Sequence, residues 1–241
     1  MEAFFAPRLR RVERVQSEDE ARVAYDRVAE DYAALLEGEL GTLPLERAML
    51  TAFVEQVQLD GGGPIADLGC GPGRIAGFLA GIGADVRGID LSPGMVAVAR
   101  RDHPDIRFEV ASMVALPFGD GELAGALAWY SIIHVPQESQ DGVFAEFARV
   151  VRPGGRLLLA FQVSESGDED IVHLRHAYGH EIDLRTRRQS PARVRRRLAA
   201  AGFAPLAELL REPVAPERSR QAFVLAQRIA DSGSDVAAAV S

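Results

Sequence analysis

Residues 67–73 read Asp-Leu-Gly-Cys-Gly-Pro-Gly and close a short apolar run, 64–68, that has the length of a buried strand. Glycines lacking Cβ let the backbone pass against a ligand, and the first amides of a following helix offer donors to a carboxylate or phosphate. A turn that serves only the path of the chain is the bland alternative for such a run. A second element sharpens the choice. Val86-Arg87-Gly88-Ile89-Asp90 is a strand-like segment ending in a carboxylate, about 20 residues beyond the glycines, where an acid can accept both hydroxyls of a ribose.

Around these two elements apolar runs at 85–89, 106–110, 123–130 and 156–161 alternate with helical segments at 73–82, 93–101 and 142–151. Alternation of this kind predicts an α/β fold with a doubly wound, mostly parallel sheet. Two helices precede it. Tyr25, Val28, Ala29, Tyr32, Leu35 and Leu36 recur at helical spacing, and Leu45, Met49, Leu50, Phe53, Val54 and Val57 do so again after Pro44. Past Phe161 the rhythm breaks into clustered charges and histidines, read as an inserted cap over about 162–189. A helix resumes at Ser190-Pro191 and stops at Gly202, and strands at 203–211 and 222–229 complete the sheet. The expected organisation is a helical lid over 1–60, a core over 61–230 that includes the cap, and a flexible tail over 231–241.

The loop narrows the nucleoside. A dinucleotide site presents Gly-x-Gly-x-x-Gly, whereas here the third glycine arrives one residue early and Ile75 follows two positions later. Asp67, just before the turn, would repel a pyrophosphate but receive an ammonium group. These features favour an amino-acid nucleoside over a nicotinamide dinucleotide.

The residues resemble the class I S-adenosylmethionine-dependent methyltransferases over most of the chain, from about Tyr25 to Ile229. The likeness rests on four motifs in order: 67–73, Gly88-Ile89-Asp90-Leu91-Ser92, Leu116-Pro117-Phe118, and Arg-Val-Val-Arg-Pro-Gly-Gly at 149–155. It implies a Rossmann-like, seven-stranded sheet whose last strand is antiparallel. It also implies S-adenosylmethionine as cofactor, S-adenosylhomocysteine as product, and a small-molecule acceptor. By the same resemblance Asp67, Gly69, Cys70, Gly71 and Gly73 surround the methionine moiety, Asp90 the ribose, and Leu91 with Met95 one side of the adenine. Ser112 and Met113 fall near the adenine amine, where many similar proteins place an aspartate first. Tyr25 and Tyr32, seven apart on one helical face, match a lid pattern whose phenols reach the cofactor or acceptor. Trp129 and Tyr130, at the strand end that faces the methyl group in similar proteins, are expected as an aromatic wall, with a place in the strand core as the alternative.

For the acceptor, the segment 128–134 lacks the Asn/Asp-Pro-Pro-Tyr run common among enzymes acting on nucleobase or amide nitrogen, so oxygen and other nitrogen acceptors stay open. Aligned displacement at a sulfonium methyl needs positioning more than strong acid–base groups, but a hydroxyl benefits from a base. His134, Tyr130 and His180 are the candidate catalytic residues. His103 reads as a surface residue. His173 and His176 would share a helical face near Glu169 or Asp170, yet no third motif closes a metal site, and no metal is expected.

Composition excludes several chemistries. All 27 basic residues are Arg, so Schiff-base and phosphate-loop lysine chemistry is absent. A net charge of −8 argues against nucleic acid, although the cluster Arg185, Arg187, Arg188, Arg193, Arg195, Arg196 and Arg197 keeps RNA methylation as an alternative. Non-catalytic cofactor binding is another. One cysteine, Cys70, and no long apolar run point to a cytoplasmic protein without a membrane span. The oligomeric state is open, a homodimer included.

Overall fold

A computed structural model describes residues 18–166 and 170–230. The expected tail at 231–241, the first 17 residues of the expected lid, and Glu169 lie outside the described residues.

Seven strands form one sheet in the order β3-β2-β1-β4-β5-β9-β8. They are β1 Ile65–Leu68, β2 Val86–Asp90, β3 Arg107–Val110, β4 Leu123–Trp129, β5 Val151–Gln162, β8 Phe203–Arg211 and β9 Gln221–Arg228. Strands β1 to β5 pair in parallel, and β9 runs antiparallel to both β5 and β8. The expected antiparallel last strand is therefore present.

Side-chain alternation along the strands sorts the core onto two faces. Leu157, Leu159 and Phe161 of β5 join Phe144 and Phe147 of α5 (Gln137–Val150) and Leu198 of α6 (Pro191–Ala200). Leu158 and Ala160 point the other way, toward Phe53 and Val57 of α2 (Pro44–Leu59), Leu79 of α3 (Arg74–Gly81) and Ala99 of α4 (Pro93–Asp102). Both faces are covered, as the continuous apolar strands require. The first helix, α1 (Glu18–Leu36), packs Ala21, Ala24 and Val28 against Met95 and Val98 of α4.

Three expectations are corrected. The helix expected at 142–151 starts earlier, at Gln137 after Pro136, and β5 takes over at Val151, not at 156. Val151 pairs with Leu123 before an irregularity lets Arg156 rejoin opposite Gly125, so the Pro-Gly-Gly stretch is a bulge inside the strand. The cap is a hairpin of β6 (Asp170–Ala177) and β7 (His180–Arg188), so His173 and His176 lie on a strand and not on a helix. Its turn, Tyr178-Gly179, has φ of 55° and 78°, the left-handed pair of a tight hairpin. The period-two burial of Ile182 and Leu184 seats it on α1. Among the described residues no helix is long and apolar enough to cross a membrane.

Candidate active site

In the sheet, β1 and β4 are neighbours whose crossovers leave in opposite directions, and a crevice opens beyond their carboxyl ends, where open α/β sheets take ligands. Gly69, Gly71, Asp90, Leu91, Met95, Ser112, Met113, Trp129, Tyr130 and His134 line a cavity of about 830 Å³ there, roofed by Tyr25 and Tyr32 of α1. Twelve of the sixteen expected site residues border this cavity, and two more, Asp67 and Cys70, border only an adjoining recess of about 310 Å³, the Cys70 thiol turned to the Gly71 carbonyl.

Gly69 and Gly71 are both left-handed, with φ of 74° and 54°. A Cβ on Gly69 would meet Met113 Cε at 2.7 Å, whereas one on Gly71 would have only Tyr32 Cε1 at 3.9 Å before it. Gly73 is a correction. A Cβ there would strike Phe108 at 2.9 Å and His103 at 3.0 Å, so this glycine lets α3 pack on its neighbours and borders neither space. His180 is the other. It bonds Asp31 of α1 at 2.6 Å and lines neither the cavity nor the larger chamber described below.

The two carboxylates differ. Asp90 accepts from the Gly71 amide on one oxygen and from the Ser92 amide on the other, both at 2.8 Å, leaving one lone-pair direction per oxygen for a ligand. Burial lifts its pKa and these amides pull it back. Asp67 is 1% exposed and neither oxygen has a hydrogen bond of good geometry. Burial first, then the Asp90 charge, push it up to about 7, against the opposing pull of Arg74 and the Ala76 amide. A buried carboxyl with no well-formed hydrogen bond is a costly arrangement that an incoming cation relieves.

Tyr25, Tyr32, Trp129, Tyr130 and His134 also face a second chamber of about 1310 Å³, between α1, the hairpin and the loop before β9. The Tyr25 hydroxyl and His134 Nε2 are 2.7 Å apart. Burial pushes the His134 pKa down to about 4 and raises that of Tyr25 well above its usual value, so both are neutral near pH 7. Tyr130 holds φ at 55°, a strained conformation for a bulky residue, at the tip of β4. The far side of the chamber carries Glu46 and Glu217, gripped by Arg211 at 2.6 and 2.7 Å.

Two acids escaped the sequence reading. Asp26 Oδ1 accepts from Ser92 Oγ at 2.6 Å and from the Gly94 amide at 2.9 Å, tying α1 to the loop that carries Asp90. Glu18 accepts from Ser112 Oγ at 2.7 Å and also lines the cavity. The signal for Glu18 was present: it stands seven residues before Tyr25, as Tyr25 stands before Tyr32. Asp26 had no local signal. The arginine cluster is largely engaged, Arg195 with Glu208, Arg197 with Asp141, and Arg187 buried. His173 pairs with Asp183 at 2.5 Å and His176 approaches Glu181 at 3.7 Å.

Sheet order, glycine loop and the acid closing β2 together define the class I methyltransferase fold. Residues 65–155 match the methyltransferase domain family. An O-methyltransferase of Penicillium expansum, cnsE, is 39% identical over 108 residues, covering 42% of this chain and 38% of that one. A demethylmenaquinone methyltransferase of Beutenbergia cavernae is 32% identical over 136 residues, 56% of this chain and 55% of its own. The matches thus span about half or less of these relatives. In structure, a 1,6-didemethyltoxoflavin-N1-methyltransferase of Burkholderia thailandensis, solved with that compound and S-adenosylhomocysteine, superposes with a TM-score of 0.63. It has 19% identity and covers 90% of this chain and 92% of its own. Magnesium protoporphyrin IX methyltransferase of Synechocystis gives 0.65 at 17%, covering 90% and 99%.

Proposed function

We propose that this protein transfers a methyl group from S-adenosylmethionine to an oxygen or nitrogen of a small-molecule acceptor. The observation that carries the reading is the pair of spaces sharing one wall of Tyr25, Tyr32, Trp129, Tyr130 and His134. The cofactor fits the first. Gly71 leaves its face open, and the buried Asp67 oxygens, without a hydrogen bond of good geometry, suit the ammonium of a methionine moiety. Asp90 has lone pairs left for two ribose hydroxyls. The two similar structures, one solved with S-adenosylhomocysteine and one with S-adenosylmethionine, support this use of the cleft.

When bound, S-adenosylmethionine supplies an electrophilic methyl on a sulfonium. The chain's own residues orient and desolvate the acceptor. A neutral His134 whose Nε2 lone pair accepts the Tyr25 proton leaves the phenol oxygen able to receive a proton from an acceptor hydroxyl, Tyr25 passing its own to His134. The large, partly aromatic chamber accommodates a ring-bearing acceptor. The test is incubation with S-adenosylmethionine and a panel of phenols, hydroxy acids and heterocyclic amines, followed by mass spectrometry. A singly methylated product with an equal amount of S-adenosylhomocysteine is expected. Cofactor binding without product from any member would leave the non-catalytic reading.

A further inference from the structure

The carboxyl edge of the sheet lays out three recognition points in strand order: Gly69 and Gly71 after β1, Asp90 ending β2, and Ser112 just beyond β3. Neighbouring strands lie about 4.8 Å apart, so the line from glycine loop to Ser112 has the span of an extended nucleoside. Between Asp90 and Ser112 the cavity wall is apolar, made by Leu91, Met95, Ala111 and Met113, and suits the faces of a planar base. At the base end the hydrogen-bonding inventory is one-sided. The Ser112 hydroxyl spends its only proton on Glu18 at 2.7 Å and accepts from the Val114 amide at 3.2 Å. Glu18 Oε2 takes no hydrogen bond among the described residues. The nearby Arg22 is held by Asp26 at 3.2 Å and Asp19 at 3.5 Å. What this side-chain pair offers a ligand is therefore acceptor capacity, which calls for a donor on the base.

We propose that Glu18 reads the exocyclic amine of the cofactor's purine and makes the site selective for adenine over its 6-oxo counterpart. This rests on the cofactor assignment above and adds a lid residue to it. Glu18 is not on a loose arm. Asp26, two turns further along α1, is bonded to Ser92 and Gly94, and Ala21 and Val28 pack with Met95 and Val98. The same helix that roofs the cavity with Tyr25 and Tyr32 thus brings the carboxylate to the base, so base recognition and lid seating are one event.

The experiment is calorimetric titration of the wild type, Glu18→Gln and Glu18→Ala with S-adenosylhomocysteine and with S-inosylhomocysteine, in which a carbonyl oxygen replaces the amine. A site built to accept a hydrogen bond discriminates strongly against a ligand that lacks the donor. The wild type should prefer the adenosyl ligand by about tenfold or more. Glutamine can present either its oxygen or its amide protons, so E18Q should bring the two ligands to within about threefold. E18A should weaken the adenosyl ligand by about tenfold and leave the inosyl ligand unchanged. Both exchanges fall at an exposed first-turn position that the core does not use. An undiminished adenosyl preference in E18Q, or none in the wild type, overturns the role of Glu18 while the cofactor assignment stands. A wild type that binds neither ligand brings down both.

Discussion

The proposed docking of the cofactor's ammonium against Asp67 predicts that binding is coupled to the release of a proton. The Asp67 carboxyl, 1% exposed, without a good hydrogen bond and facing the Asp90 charge, titrates at about 7. At pH 6 about nine in ten molecules carry this proton, and at pH 7 about half. If an ammonium docks against the carboxylate, that charge returns the pKa to an ordinary value of about 4. The proton must then leave. Binding of S-adenosylhomocysteine should release about 0.9 proton at pH 6, and its Kd should rise about fivefold from pH 7 to pH 6. The assay is calorimetry at both values in two buffers of different ionisation enthalpy, which counts protons directly. Asp67→Asn keeps the shape but cannot ionise, so its Kd should be weaker and flat between pH 6 and 7. The free protein carries the complementary signature. An acid whose pKa is raised on folding holds its proton longer in the native state, so native stability falls as pH climbs from about 4 to about 7. The ceiling of this effect is about 4 kcal/mol over the three units. The melting temperature of D67N relative to the wild type should therefore be higher at pH 8 than at pH 5. Proton release that persists in D67N, or a wild-type Kd independent of pH, would refute the reasoning.

Tyr25→Phe should cut turnover on whichever acceptor the panel identifies by at least about tenfold while S-adenosylhomocysteine affinity stays within about threefold, since only the proton route is removed. Arg211→Met should destabilise the fold by about 3–5 kcal/mol in urea melts, because Glu46 at 2% exposure is left buried without its cation. Gly88→Ala should cost about 1–3 kcal/mol, its Cβ striking the edge of the Phe108 ring and falling 2.9 Å from Cys70 Sγ.

Much of the fold was legible because the central strands β1, β4 and β5 are buried along most of their length and alternate with amphipathic helices, the one pattern that needs cover on both sides of a sheet. The proposed cofactor side was legible for a related reason: Gly69, Gly71 and Asp90 sit on one strand–turn–helix–strand unit, so local spacing fixes their geometry. Gly73 misled because packing against His103 and Phe108 and approach to a ligand ask for the same residue. The cap was misread as helical at His173 and His176 because charged residues masked the alternation of Val172 with Leu174 and of Ile182 with Leu184, while the Tyr178-Gly179 turn carried the hairpin signal. Contacts across the chain were beyond any local pattern. Asp26 meets Ser92 at a separation of 66 residues and Tyr25 meets His134 at 109, distances that only the seating of α1 on α4 and the hairpin brings together.

The claim on which the rest depends is the place and orientation of the nucleoside. A crystal structure grown with S-adenosylhomocysteine tests it most directly. The account predicts the amino-acid end between Asp67, Gly69 and Gly71, both ribose hydroxyls on Asp90, and the base beside Met95 with its amine toward Glu18 and Ser112. Clear density for the ligand at any other site, or with its base turned toward Asp67, would contradict it.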